Sequence, residues 1–342
     1  AEDRLDGALL RVKDLDRDGI YELMAPIMEG WVEMGRGNFD AALAAIEPLS
    51  AKQNFEMFHA YHGALMADMA GQRDMAAEKF RLALTAVPGG TLRVVVAYAT
   101  SLRRAGRIDE ANAVYQDYRE NHPDSPWLEP ILSMINSDVR PKLIVSTAQE
   151  GMAEALFGAA SALPNESAGD TGLIYAYLAL HLRSNFPVVQ LLVGEVLDVL
   201  ERYEDAIAAY SGIAKDSPYF WSARLRAASD LASVERVDEA VNILSEMVDE
   251  NPKRSDAAIA LADVLRRNER FDESVKFYDV AIGRTAEFEA RHWTLFYSRG
   301  VMLERTKQWT RAEADFLHAL ELQPDQPLVL NYLGYSWVEQ GM

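Results

Sequence analysis

Apolar residues along the chain recur three and four positions apart, and the pattern breaks at short polar turns instead of alternating in twos, so it predicts helices throughout. Strand-like runs such as Arg93 to Val96 and Leu143 to Ser146 are short, and the first lies in phase with a helix. The helices come in pairs that repeat. The marker is an alanine, a bulky residue four later and a proline eight further on: Ala76, Phe80, Pro88; Ala111, Tyr115, Pro123; Ala206, Tyr210, Pro218; Ala240, Leu244, Pro252; Ala312, Phe316, Pro324. Ala42 with Ile46 and Ser274 with Tyr278 are weaker copies. Alanine-equivalent positions stand 34 or 35 residues apart within each run, with one spacing of 38 before Ala312. Small residues at Gly194, Ala228, Ala262, Gly300 and Gly334 let the other helix of each pair approach closely. Gly37, Gly71 and Gly106 sit between the two helices, where a left-handed backbone suits glycine. Each pair exposes an apolar face that the next pair covers, so stacking is expected to hold the chain together.

These spacings resemble the tetratricopeptide repeat family, whose helix-turn-helix unit carries small residues, bulky residues and proline in this order. The resemblance implies an all-α, right-handed α-solenoid of about eight full or partial repeats with an irregular middle. Residues 1–21 read as a lead-in helix and turn, 22–123 as an N-terminal array, 124–148 as an irregular insertion rich in proline, 149–186 as a degenerate repeat and 187–342 as a C-terminal array ending in a truncated repeat. In the degenerate repeat, Gln149 to Leu163 reads as a first helix, Pro164 to Asp170 as a loop and Gly172 to Arg183 as a second helix.

Composition narrows the function. Hydrophobic residues make up 49% of 342, enough for a substantial core. Lys and Arg number 34 against 53 Asp and Glu, a formal charge of −19, the wrong sign for a surface that displaces counterions from nucleic acid. Cysteine is absent, which excludes disulfides, thiol nucleophiles and Cys-ligated metals. No apolar run approaches the ~20 residues of a membrane-spanning helix. A start at Ala1 and a finish inside a helical pattern lead us to expect a processed or truncated piece of a longer chain.

No catalytic grouping emerges. The turn Asp14-Leu-Asp16-Arg-Asp18-Gly19 opens like a calcium loop, but Ala25 stands where the closing carboxylate is due, so it reads as an acidic turn with Asp18 capping the next helix. His59 and His62 share a helix face, with no third ligand at metal spacing. Phosphate-binding and nucleophile-elbow motifs do not occur. The expectation is a non-enzyme without metal or cofactor.

The concave face of such an array, lined by first helices, is the expected landing place for a partner polypeptide. Helical phase places Leu191, Glu195, Leu225, Ile259, Asp263 and Tyr297 there in the C-terminal array, and Phe58, Tyr61, Asp68, Arg93, Val96, Thr100 and Arg103 in the N-terminal one. The alternative for Leu191, Leu225 and Ile259 is packing against neighbouring helices. The Lys/Asn/Arg clamp by which some family members hold an acidic tail is replaced by Leu191, Glu195, Leu225 and Ser229, so a basic or mixed apolar partner fits better.

The segments Gln149 to Gly158, Ala176 to Arg183 and Val329 to Ser336 resemble long tetratricopeptide proteins of Gram-negative, especially alphaproteobacterial, genomes. Those are similar to outer-membrane lipoprotein adaptors of carboxyl-terminal processing proteases. The resemblance implies an exported, non-catalytic adaptor whose partner is such a protease or an envelope protein. It further implies a periplasmic location with outer-membrane anchoring through a segment upstream of Ala1. A cytoplasmic protein, or a structural subunit docked permanently in a larger complex, is the alternative.

Overall fold

The computed structural model describes residues 2–122, 125, 127–135, 141–163, 165–339 and 341. Among the described residues there are nineteen α-helices and no strand. The chain divides into two compact units, Ala1–Leu200 with Ile213–Phe220, and Glu201–Gly212 with Trp221–Met342.

In the first unit the helices are α1 (Glu2–Lys13), α2 (Tyr21–Gly35), α3 (Phe39–Ile46), α4 (Glu56–Met69), α5 (Arg73–Thr85), α6 (Leu92–Arg104), α7 (Ile108–Asn121), α8 (Leu128–Ile135), α9 (Ala148–Ala162), α10 (Asn165–Leu182) and α11 (Pro187–Val199). Pairs α2/α3, α4/α5, α6/α7 and α9/α10 pack as the repeat demands. Ala42, Ala76 and Ala111 are wholly buried, as are Ile46 and Phe80, and Tyr115 is nearly so. An alanine at this position lets its neighbour helix close in, and the bulky residue one turn on fills the space beside it.

Nearest-neighbour stacking is not the whole account. Helix α9, the first helix of the degenerate repeat, also packs against α2 and α4, far upstream in sequence. The irregular middle therefore folds back over the N-terminal repeats. Two local readings change as well. Residues 165–170, expected as a loop, form the first turns of α10, since an Asn followed by Glu starts a helix as readily as it fills a turn. Helix α2 starts at Tyr21 with no side-chain cap; Asp18 contributes only its backbone carbonyl, to the Tyr21 N–H at 3.0 Å.

The second unit holds α12 (Tyr203–Ser211), α13 (Phe220–Ser233, joining this unit from Trp221), α14 (Val237–Glu250), α15 (Asp256–Arg267), α16 (Phe271–Arg284), α17 (Trp293–Arg305), α18 (Trp309–Leu322) and α19 (Pro327–Glu339). From α14 onward each helix packs on the next. Ala240, Leu244, Ala312 and Phe316 are fully buried in one apolar cluster with Leu261 and Leu303. Ser274, standing where the repeat expects alanine, is also fully buried, and its hydroxyl donates to the Ala262 carbonyl at 2.8 Å. The polar atom is thereby satisfied where it would otherwise destabilise the core.

The turn joining the helices of a pair is left-handed in both units, but different residues make it. Gly37, Gly71 and Gly106 take φ of +82°, +76° and +80°. The equivalent position, five residues before the alanine marker, is Glu201, Glu235, Glu269 and Lys307 in the second unit, with φ of +56° to +63°.

Candidate functional site

The first unit carries a half-open cavity of about 540 Å³, walled by α4, α6, α9 and α11 together with Trp127 and Tyr219. Its lining is mainly apolar, with Phe58, Phe157, Val188, Leu191 and Leu192 prominent. That size falls in the range of ligand and side-chain anchoring pockets. Small residues on α9 keep it open. The ring of Phe58 comes within 3.0 Å of where a Cβ on Gly158 would stand, and Ser161 and Ala162 continue that face.

One wall is ionic. Glu154, in the middle of α9, is 1% exposed. Its Oε2 accepts from Arg93 Nε at 3.1 Å and from the Tyr61 hydroxyl at 3.3 Å. Its Oε1 accepts from Arg93 Nη2 and from Arg183 Nη1 at 3.4 Å. Arg183 also donates to the Ile144 carbonyl at 3.2 Å. The buried ring of Phe186 faces both guanidinium groups, 5.3 Å from Arg93 and 4.6 Å from Arg183. Burial opposes the charge on Arg93, yet Glu154 beside it reverses the balance and raises its pKa, so the guanidinium stays charged. Burial first, and then the carboxylate, hold the Tyr61 phenol far above its ordinary range.

His62 also lines the cavity, 1% exposed, its Nδ1 accepting from Trp31 Nε1 at 3.1 Å. Burial pushes its pKa down to about 3, so the ring is neutral at physiological pH. His59 faces elsewhere, 3.4 Å from Glu47. The two histidines do not converge, and no group of three or more His, Asp or Glu side chains at metal-binding geometry occurs among the described residues. In the acidic turn, Arg17 donates to Glu29 at 2.8 Å, which engages the carboxylate nearest to completing a calcium loop.

The residues singled out from sequence are placed in two settings. Leu191 and Glu195 line the cavity, with Leu191 itself buried at its wall. Leu225, Ile259 and Tyr297 are half-buried in the second unit and pack against its apolar cluster. Asp263 is half-buried there, its Oδ1 accepting from the Tyr278 hydroxyl at 2.6 Å and from Arg266 Nη2 at 3.2 Å. Phe58, Tyr61 and Arg93 line the cavity, whereas Asp68, Val96 and Thr100, read onto the same face from sequence, are buried away from it. Glu154, Phe157, Trp127 and Tyr219 were not foreseen. The one signal for Glu154 is an acid set in an alanine- and leucine-rich helix face, a position where charge requires a partner.

Among the described residues no helix is long and apolar enough to cross a membrane. No curated protein sequence matches the chain. Solved structures similar to it include MamA from Desulfovibrio magneticus RS-1, 18% identical with a TM-score of 0.44, the match covering 51% of this chain and 96% of that one. YrrB, a TPR protein with an unusual peptide-binding site, is 20% identical with a TM-score of 0.42, covering 53% of this chain and 91% of that one. Pseudomonas aeruginosa pilF is 14% identical with a TM-score of 0.43, covering 77% and 99%. Tetratricopeptide repeat family models match residues 96–125 and 231–295. With helix pairs at the repeat spacing in both units, the chain carries tetratricopeptide repeats within those two stretches.

Proposed function

We propose that the protein is a non-catalytic scaffold that holds a partner polypeptide, with the cavity of the first unit gripping an apolar segment of that partner. The observation that carries this reading is the cavity itself: an apolar well of about 540 Å³ walled by first helices of successive repeats, with a rigid ionic wall and no converging nucleophile or metal ligands among the described residues. Filling the well tests it. Ala162 is exposed on α9 at the cavity wall, so Ala162→Trp should occupy the space without disturbing the core. Partners retained by the wild-type chain should be lost from the variant at unchanged helical content; undiminished retention would contradict the reading. The half-buried face bearing Leu225, Ile259, Asp263 and Tyr297 is proposed as a second contact surface, tested by Leu225→Asp in the same assay.

The finer reading, an envelope adaptor for a carboxyl-terminal processing protease in the periplasm, is supported by the resemblance of residues 149–158, 176–183 and 329–336. Cell fractionation of the tagged full-length gene product tests the location, with recovery in the cytosol as the contrary result. A second reading, permanent docking in a larger assembly, is favoured by one surface. From Thr171 to Leu182, α10 carries no charged residue, and Ile174, Tyr177 and Leu178 are exposed along one stripe. Salt-resistant co-purification at fixed stoichiometry, lost on Ile174→Glu, would favour this reading over transient capture.

A further inference from the structure

Four residues on the outer side of α10 form a seam. Asp170, Ile174, Tyr177 and His181 are separated by four, three and four positions, the spacing that keeps side chains on one stripe of a helix laid against another helix. Ile174 and Tyr177 are 59% and 47% exposed, with Asp170 and His181 exposed at either end of them. Neither end residue has a hydrogen-bond or ion-pair partner among the described residues. The opposite side of the helix serves the fold: Leu173, Ala176 and Ala179 are buried, and α10 packs on α9 and α11. The seam therefore has an apolar centre, an acid at one end and an imidazole at the other. Thr171 and Leu178 flank it without charge.

We propose that α10 is the contact of an antiparallel homodimer, in which Asp170 and His181 of one copy meet His181 and Asp170 of the other around the two Ile174 and Tyr177 pairs. The inference rests on the docking reading of this stripe and names its occupant as a second copy of the chain. The order of the four residues is what selects that occupant. Set against a second α10 running the opposite way, Asp170 faces His181 and Ile174 faces Tyr177, and both pairs recur across the two-fold axis. At each end an imidazole N–H donates to a carboxylate, and the two layers between them are apolar. Run parallel, the helices would set acid against acid and imidazole against imidazole. Two copies of a chain with a net charge of −19 repel each other except where charge is absent or paired, and this seam is both. Four layers over about 16 Å of helix, at ~1.5 Å per residue, make a small interface, so the dimer dissociates in the micromolar range.

Sedimentation velocity of the full chain across a micromolar concentration series should show a monomer–dimer equilibrium. Ile174→Glu, which sets two carboxylates into the centre of each dimer, should raise the dissociation constant about tenfold or more at unchanged helical content. Orientation is read by disulfide trapping, to which the natural chain contributes no cysteine. An equimolar mixture of Asp170→Cys and His181→Cys should crosslink under mild oxidation, because one end of the mixed dimer brings the two thiols together and the other keeps its Asp170 and His181 pair. Either variant alone places its thiols about 16 Å apart along the seam, beyond disulfide reach, and should stay uncrosslinked. A monomer at every concentration would overturn the proposal, as would a mixture that fails to crosslink or crosslinking by either variant alone. A monomeric chain that still co-purifies with a different protein, and loses it on Ile174→Glu, would overturn the homodimer while the docking reading stands.

Discussion

The indole of Trp31 occupies the space in which a side chain on Gly151 would stand, its Cδ2 lying 2.2 Å from the Cβ position. This contact joins α2 to α9 and holds the middle of the chain against its N-terminal repeats. Trp31 is fully buried, so the ring has nowhere to retreat. Gly151→Ala should lower the stability of the first unit by about 1–3 kcal/mol, the usual range for overpacking. Gly334 on α19 offers the control: nothing lies within 4 Å of its Cβ position. There Gly334→Ala should raise stability by about 0.5–1 kcal/mol through helix propensity alone. Urea unfolding of the two variants should move in opposite directions; a harmless Gly151→Ala would remove the close contact from the account.

His62 makes the first unit sensitive to acid. Its pKa is held near 3 in the fold against an ordinary 6.5, so between those values the unfolded chain binds a proton that the folded chain refuses. Stability contributed by the neutral ring is present above pH 6.5 and falls as pH drops toward 3, by about 1.4 kcal/mol per pH unit. In His62→Asn the side-chain oxygen can accept from Trp31 in place of Nδ1, and this part of the pH slope should vanish. Urea midpoints followed through that window for both proteins decide it; parallel slopes would assign the acid sensitivity elsewhere.

Glu154 is a buried carboxylate between two half-buried guanidinium groups, those of Arg93 and Arg183. Glu154→Gln removes the carboxylate that Arg93 faces, while Glu150 remains near Arg183, and should destabilise the first unit by about 3 kcal/mol. The chevron or equilibrium unfolding curve of this variant, set beside that of Glu273→Gln on the surface, is the measurement. Comparable small losses in both would mean that the cluster contributes little.

The left-handed glutamates of the second unit are a strained choice. Glu235 and Glu269 sit at φ of +63° and +57°, where a Cβ is crowded and glycine is not. Glu235→Gly should raise the stability of that unit by about 0.5–1 kcal/mol, the relief of strain exceeding the entropy that glycine adds to the unfolded chain. A drop in thermal midpoint would show that strain at this turn is small.

The repeat was legible because the same packing problem is solved many times. Ala76, Ala111, Ala206, Ala240 and Ala312 meet identical constraints, and their burial follows from spacing alone. The fold-back of α9 was not legible, since it depends on one glycine meeting one tryptophan distant in sequence, with no periodicity to announce it. The site divides in the same way. Phe58, Tyr61, Arg93, Leu191 and Glu195 follow from helical phase, whereas Glu154 and Tyr219 reach the cavity through a helix and a turn whose placement the period does not set.

The central claim is that a partner polypeptide occupies the cavity of the first unit. Hydrogen–deuterium exchange of the full chain, with and without a partner recovered by it, tests that claim most directly. The account predicts added protection concentrated in α4, α6, α9 and α11. Protection confined to the outer stripe of α10 or to helices of the second unit, with the cavity helices unchanged, would contradict it.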